Sequence, residues 1–473
     1  MELVLGTTAF LVLLMATCLY LLRSTKHTPQ LPDTLPWVGC RDEVFSRTRA
    51  CIRELTNGDR TRIDGYTKYS RKGQPFIIPD PGLKPQVMLP PDHVQWMLQL
   101  PDTVLGRQAD NEKLGFRHMT NLMTKPDPVI TETIRKDLTR NILKQHSDIS
   151  DEIRRSIDAT MGTEDSWVEI NLIEAVETIV IRSHSRPLVG LPLCRSEKYV
   201  SAMRAMTSSW AKGSLALRYV PWFLRPLLGL LMSLPYKLYK TRALKIVLPM
   251  IIESMSNIGR EIMDPAFSSE SPDNFIKWMV TAALKAKSTA FTTPEDAAER
   301  FLIVVLALDS TSVALANMLL DLLSSKPELR YYEALRQESE MAFQAEKDWD
   351  DWASVNKLRL TDSAIRETLR LNPQAVRSRQ REVLQKDGLK LPDGQHLPKG
   401  SWIGFSPTDI HFDERFYPDP ETYDPFRFVA GNETLELEQR SISADVASKE
   451  RMSSLMVATN KTFLSFGHGR HAW

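Results

Sequence analysis

Thr361-Asp-Ser-Ala-Ile-Arg-Glu367-Thr-Leu-Arg370-Leu-Asn-Pro373 decides how the rest of the chain is read. It predicts a helix that stops before proline, because the residue preceding a proline is pushed out of the helical region. Glu367 and Arg370 stand three apart and so share a face. Alone the pair is weak evidence, since most such pairs are solvated surface salt bridges worth little. Downstream runs Phe416-Tyr-Pro418-Asp-Pro420-Glu-Thr-Tyr-Asp-Pro425-Phe-Arg427-Phe428, an aromatic, proline-rich loop with one arginine. Then comes Phe463-Leu-Ser-Phe466-Gly467-His-Gly469-Arg470-His471-Ala472-Trp473.

Upstream, Thr293-Pro-Glu-Asp296 supplies an N-cap, a proline at the first helical position and a carboxylate at the third. The run that follows is apolar on nearly every face until Lys326-Pro327, the pattern of a helix buried through a domain centre. Its middle nevertheless carries Asp309, Ser310, Thr311 and Ser312. Stranding a buried polar group costs about 1–3 kcal/mol, so these need partners. Either the hydroxyls bond back to the preceding turn, or they form a polar notch facing a buried cofactor and relay protons.

The N-terminal end reads as a membrane anchor. Leu3 to Leu22 is twenty residues without a charge, enough to cross a hydrocarbon core of about 30 Å. Arg23 and Lys26 follow it, which by the positive-inside bias leaves the remainder of the chain in the cytosol. A cleaved signal peptide fits less well, because the run is too long, its positive charge follows it, and no small-residue cleavage site closes it. Pro29, Pro32 and Pro36 then predict a stiff, extended hinge over 23–40, or an ordinary Pro-rich loop. A second apolar stretch, Tyr219–Tyr239, is interrupted by Pro221, Arg225, Pro226 and Pro235 and cannot span. It suits buried core or, with Trp222, Phe223 and its leucines, a segment dipping into the membrane interface.

Bulk composition excludes little. Lys+Arg is 60 against Asp+Glu 59 in 473 residues, which points to no nucleic-acid partner. Cys18, Cys40, Cys51 and Cys194 are spaced neither as a zinc site nor as a redox pair, the usage of a cytosol-facing protein with reduced thiols.

The polar-notched helix, the ExxR helix, the PxRF loop and the FGxGxH run, taken in that order behind an anchor and hinge, resemble the cytochrome P-450 family of haem-thiolate monooxygenases, microsomal type. The resemblance covers essentially the whole chain. Gly190-Leu-Pro-Leu-Cys194-Arg and Leu89-Pro-Pro-Asp-His93 are similar to fungal members that oxidise terpenoid, indole-diterpenoid or polyketide intermediates. The resemblance implies a mainly α fold with a small β-sheet region, a catalytic domain over 41–473 and an anchor over 1–22. It implies haem b as cofactor, electrons from an NADPH-dependent cytochrome reductase, a hydrophobic substrate, and a single-pass protein of the endoplasmic reticulum membrane.

Carried over residue by residue, Glu367, Arg370 and Arg427 resemble the buried ion-pair cluster that ties the ExxR helix to the meander loop. Asp309 and Ser310, with Thr311 beside them, fall on the acid–alcohol pair next to bound dioxygen. Most members have threonine where Ser310 stands, and serine lacks the methyl that restricts its rotamer. Arg381, in Arg379-Gln-Arg381, and His471 match residues that hydrogen-bond haem propionates. Arg135 is a further candidate, although Thr131 stands where tryptophan is usual. Phe466, Gly467 and Gly469 belong to the cofactor loop.

One residue departs from the pattern. The family's FGxGxHA is followed by the cysteine that ligates iron as thiolate, and here that position is Trp473. Indole nitrogen only donates, so the chain as written is expected to lack its metal ligand and the segment beyond it, and to be inactive. An intron beginning after the first two bases of the cysteine codon would explain this. TG followed by a retained GTAAGT or GTGAGT reads as tryptophan and stop, and splicing would restore cysteine and a tail. The rival explanations are a lesion in the gene and a non-catalytic, membrane-anchored remnant.

Overall fold

The computed structural model describes residues 29–107, 109, 119, 128–264, 272–306, 308–374, 380–429 and 455–469, with only the backbone of Leu308 and Asp309. The predicted anchor over 1–22 and the first third of the hinge, 23–28, lie outside the described residues.

From residue 29 the chain makes a turn, Leu35 N donating to Pro32 O at 3.2 Å, and then meets the sheet edge at Trp37. Leu31 and Leu35 are buried, and Val38 N donates to Ile77 O at 3.0 Å while Ile77 N donates to Pro36 O at 2.8 Å. The elements are then α1 (Ser46–Lys68), β1 (Phe76–Ile78), β2 (Gln86–Met88), α2 (Pro91–Gln99), β3 (Leu105–Gly106) and α3 (Pro128–Thr133), which continues as a π-helical turn over Ile134–Leu138. A long helical series follows: α4 (His146–Met161), α5 (Leu172–Val189), α6 (Glu197–Arg218), α7 (Arg225–Met232), α8 (Leu234–Met263), α9 (Phe275–Lys285), α10 (Pro294–Val305) and α11 (Leu308–Ser324). The last third holds α12 (Tyr331–Ala342), α13 (Trp352–Val355), α14 (Arg359–Leu371), β4 (Arg381–Val383), β5 (Leu389–Lys390), β6 (His396–Leu397), β7 (Trp402–Gly404) and α15 (Pro407–His411).

The fold is mainly helical with two small sheets, as the sequence predicts. The larger sheet has the order β1-β2-β7-β4-β3, in which only β2 and β7 are parallel, Val87 facing Ile403. Such a parallel pair needs a long crossover, and here it carries the helices α2 to α14 and the short strands β3 to β6. The short β5–β6 hairpin pairs Leu389 with Leu397.

Two cores form. The helical one gathers Tyr199, Met203 and Met206 of α6, Val247 and Ile251 of α8, Phe275 and Met279 of α9, and Phe301 and Val305 of α10. The sheet core joins Val87, Leu105, Val383 and Ile403 to Val94 of α2, and takes in Leu464 from the C-terminal loop.

The capping reading at Thr293 is met in detail. Its Oγ1 accepts from Asp296 N at 3.1 Å, and Asp296 Oδ2 accepts from Thr293 N at 3.1 Å. Reciprocal capping fixes where α10 starts. Pro294–Ser324 is, among the described residues, the one helix long and apolar enough to cross a membrane. Its packing against α5, α8 and α14 makes it a core helix. The prediction of burial on every face holds for one face of α10, where Ala297, Phe301, Leu302 and Val305 are buried while Arg300, Ile303 and Val304 are half-buried. It does not hold for α11, where Val313, Leu320 and Leu323 are exposed. Apolar periodicity records that a helix avoids water somewhere in its life, not which neighbour covers each face.

The stretch Tyr219–Tyr239 is partly buried and partly exposed. Pro226 starts α7 and Pro235 starts α8, where a missing N–H costs nothing. Arg225 and Tyr236 are buried, while Leu227, Leu230, Leu231, Leu234 and Leu238 are more than half exposed.

Candidate active site

The site is built on α14. Its buried face carries Ser363, Ala364, Arg366, Glu367, Thr368, Leu369 and Arg370. Glu367 and Arg370 are both fully buried, and the pair is bidentate: Nε to Oε2 and Nη2 to Oε1, each 2.7 Å. Arg427 Nε donates to the same Oε1 at 3.0 Å, and the Asp424 backbone N–H reaches it at 3.3 Å.

Two guanidinium groups on one carboxylate leave an excess positive charge, and backbone carbonyls take it up. Arg370 Nη1 donates to His411 O at 2.8 Å and Pro420 O at 2.7 Å. Arg427 donates to the carbonyls of Pro418 (2.5 Å), Thr422 (3.0 Å) and Asp419 (3.2 Å). Buried charge is tolerated only on such terms, every lone pair and proton matched. The cluster thereby pins the loop 418–427 to α14.

The loop 455–469 docks on the same helix. Arg366 is buried, and its Nη1 donates to Ala458 O at 2.9 Å and to Leu455 O. Its guanidinium lies 3.9 Å from the Phe463 ring centroid and 4.8 Å from that of Phe428, a cation–π arrangement. Burial holds its pKa below the ordinary arginine value. Asn460 Oδ1 accepts from the N–H groups of Thr462 (2.9 Å) and Phe463 (2.7 Å), which closes a tight turn. Ser465 Oγ donates to Leu369 O at 2.6 Å, and Leu464 N donates to His411 Nε2 at 2.8 Å. Gly467 N then returns to Leu464 O at 2.8 Å. Gly467 and Gly469 have φ of 78° and 77°, where a side chain would be strained. The loop end comes to rest beside α2, with Gly469 facing Leu98.

Of the other residues singled out by sequence, Arg381 is buried at the start of β4, opposite Ile403. Phe466 is half-buried in the loop. On α11, Ser310 is half-buried and its carbonyl accepts from Gln374 Nε2 at 3.3 Å; Thr311 is exposed and Ser312 buried. The Asp309 side chain, Arg379, Arg470, His471 and Trp473 lie outside the described residues. Arg135 is not gathered with the rest: its side chain is 70% exposed and bidentate on Glu132, at 2.9 and 3.1 Å. Sequence reasoning missed His411, Arg366 and Asn460. For Arg366 a signal existed, because it shares the apolar side of α14 with Ser363 and Arg370 and so cannot face water.

A buried Glu-Arg-Arg cluster thus fastens the loop 418–427 to α14, and Arg366, His411 and Ser465 fasten the glycine-turned loop 455–469 to the same region. Comparison with known proteins agrees with the family resemblance. The family model described as Cytochrome P450 matches residues 119–472. Cytochrome P450 monooxygenase polB of Polytolypa hystricis is 35% identical over 461 residues, 96% of this chain and 86% of that protein. Cytochrome P450 monooxygenase efuH of Hormonema carpetanum is 32% identical, over 95% of this chain and 79% of that protein. Cytochrome P450 monooxygenase lnaC of Aspergillus flavus is 32% identical, over 98% and 87%. The chain belongs to the cytochrome P450 family. Membership implies a monooxygenase with haem iron as cofactor, a redox-partner reductase and a hydrophobic substrate.

The residues present fit that cofactor in part. The loop's glycine turns and the buried Arg381 suit a flat, carboxylate-bearing ligand. The iron ligand does not fit, because where the family pattern expects a cysteine the sequence has Trp473, whose indole only donates. Two of the described cysteines are poor substitutes: burial pushes the thiols of Cys51 and Cys194 up to about 11, which keeps them protonated. Among the described residues no His, Cys, Asp and Glu group could hold a metal.

Proposed function

We propose that this chain is the body of a membrane-tethered monooxygenase that hydroxylates a hydrophobic secondary metabolite, of terpenoid, indole-diterpenoid or polyketide type. With Trp473 in the ligand position it does not complete that reaction. The observation that carries the reading is the Glu367–Arg370–Arg427 cluster holding the 418–427 loop on α14, the helix on which the Phe463–Gly469 loop also docks. Bound haem would supply oxygen activation, one atom of O2 entering a C–H bond and the other leaving as water with two electrons and two protons. The chain's own part is to hold and orient. Arg381, with His471, would meet the propionates, whereas Arg135 is engaged by Glu132 at the surface. Asp309, Ser310 and Thr311 would hold protons on the oxygen side, Ser310 through its hydroxyl.

The proposed site of action is the endoplasmic reticulum, with a single span over 1–22, the hinge over 23–40 and the domain over 41–473 in the cytosol. Two features support it. Residues 36–38 pair with β1, and in the turn after β1 Gly82 O accepts from Trp222 N at 2.8 Å. The hinge and the exposed leucines of α7 and α8 therefore flank one turn of the sheet. An apolar face there, rimmed by Lys237 and Arg242, suits a bilayer interface.

A second reading, a non-catalytic membrane-anchored remnant, is favoured by Trp473 itself. The two are separated by the cDNA across codon 473, read against genomic sequence, and by the reduced, carbon monoxide-bound spectrum of the protein made from it. A cysteine at 473 and a thiolate-type Soret band are expected of the enzyme. Cysteine without the band would sink the monooxygenase reading, and a tryptophan in the mature transcript would establish the remnant.

A further inference from the structure

His411, the last residue of α15, is fully buried, and both ring nitrogens bond to other segments. Nδ1 lies 2.9 Å from Arg370 O, and Nε2 lies 2.8 Å from Leu464 N. A carbonyl only accepts and an amide N–H only donates. The tautomer is therefore set: Nδ1 carries the proton and donates to Arg370, while Nε2 accepts from Leu464. The ring stacks on Phe463 at 5.5 Å and 17°, and meets Tyr417 edge-on at 6.2 Å. The His411 carbonyl in turn accepts from Arg370 Nη1, so the two residues are joined in both directions.

Leu464 is the pivot of the loop. Its N–H is held by His411 and its carbonyl accepts from Gly467 N, which closes the turn leading to Gly469. Whatever fixes the Leu464 peptide fixes the start of that turn. Ser465 Oγ on Leu369 O is the other direct tie to α14 within the turn.

We infer that His411 is a positioning residue for the cofactor loop, transmitting the placement of the ExxR helix's last turn to Leu464 through its two ring nitrogens. The inference rests on the haem-presenting role proposed for this loop. It goes beyond a packing role for an aromatic ring, because only a side chain with an acceptor at the Nε2 position can hold the Leu464 N–H. Burial and the nearby Arg370 and Arg366 guanidinium groups push the ring's pKa down to about 3, in keeping with that acceptor being available.

Three variants of the full chain separate the roles. In His411→Gln the side-chain carbonyl reaches about where Nε2 stands and keeps the Leu464 bond. In His411→Asn the amide reaches only the Nδ1 partner, and His411→Phe keeps the ring but neither bond. Hydrogen–deuterium exchange of the peptide containing Leu464 is expected to stay slow in the glutamine variant. It should be roughly tenfold or more faster in the other two, with the rest of α14 unchanged. Haem retention, read as Soret absorbance per protein after incubation with haem, should follow the same order. Equal exchange in all three variants would overturn the inference, since the ring would then act by volume alone. If the phenylalanine variant fails to fold, the glutamine–asparagine contrast decides. Should the chain carrying Trp473→Cys take up no haem while the exchange order stands, the haem reading fails and the positioning of Leu464 remains.

Discussion

Replacing Glu367 with glutamine tests the central lock at almost constant volume. The carboxylate accepts three charge-assisted bonds, two at 2.7 Å from Arg370 and one at 3.0 Å from Arg427, where Arg370 and Glu367 are fully buried and the Arg427 side chain is 13% exposed. Glutamine keeps one acceptor oxygen, but it points an N–H2 at a guanidinium and leaves two buried cations without a counter-charge. Breaking a buried pair by removing one partner costs about 3–5 kcal/mol, because the surviving charge stays desolvated. That is a large share of the roughly 5–15 kcal/mol that holds a typical domain together. Since a chain of 473 residues need not unfold in one step, the assay should be local. Native-state hydrogen exchange would follow the peptides of α14 and of 418–428 in mild urea. Both should lose protection together, by hundredfold or more for about 3 kcal/mol. As a control, Arg336→Ala removes a pair with Glu340 whose two side chains are 66% and 62% exposed, and should change nothing measurable. If Glu367→Gln behaves like the control, the lock holds nothing and the reasoning is wrong.

Other perturbations have equally definite outcomes. His411 is held down to about 3 against an ordinary 6.5. A base depressed on folding gives its full stability above pH 6.5 and loses it as pH falls toward 3. The loss is about 1.4 kcal/mol per pH unit at most and about 5 kcal/mol in all. Urea midpoints measured from pH 7 to pH 4 should therefore fall more steeply for the wild type than for His411→Gln, and equal slopes would contradict this. Gly82→Ala places a methyl against Arg225 Nη2 and 2.8 Å from Asp80 Oδ2. Displacing them costs about 1–3 kcal/mol, and exchange at Trp222 N–H should accelerate while that of α14 does not. A fluorophore attached through Leu230→Cys should be extinguished by a lipid-borne quencher in vesicles, whereas one attached through Arg336→Cys should not. Equal quenching would remove the case for a bilayer-facing α7.

How much could be read beforehand depended on whether a residue's partner was local. The caps of α10, the stop of α14 before Pro373 and the prolines opening α7 and α8 are short-range physics, and spacing alone carries them. The meeting of Glu367, Arg370 and Arg427 came from the family resemblance alone, since spacing pairs Glu367 with Arg370 but says nothing of an arginine 60 residues downstream. Arg135 shows the opposite case. Resemblance pointed it toward a propionate, yet Glu132, one helical turn away, satisfies it at the surface. An exposed bidentate pair forms more cheaply than a long reach inward. His411 was invisible for a different reason: nothing in Thr408-Asp-Ile-His-Phe-Asp-Glu says that one imidazole will take a carbonyl 41 residues upstream and an amide 53 residues downstream. A histidine has two distinct nitrogens, so it can join two segments that have no direct contact rule between them. The same feature makes it a poor subject for pattern reading and a good one for structure. If the loop owes its placement to that ring as well as to the ion-pair cluster, it is held at Leu464 and Ser465 before any cofactor contributes a bond. The chemistry then depends on position 473 being filled by a ligand, within a frame the rest of the sequence already specifies.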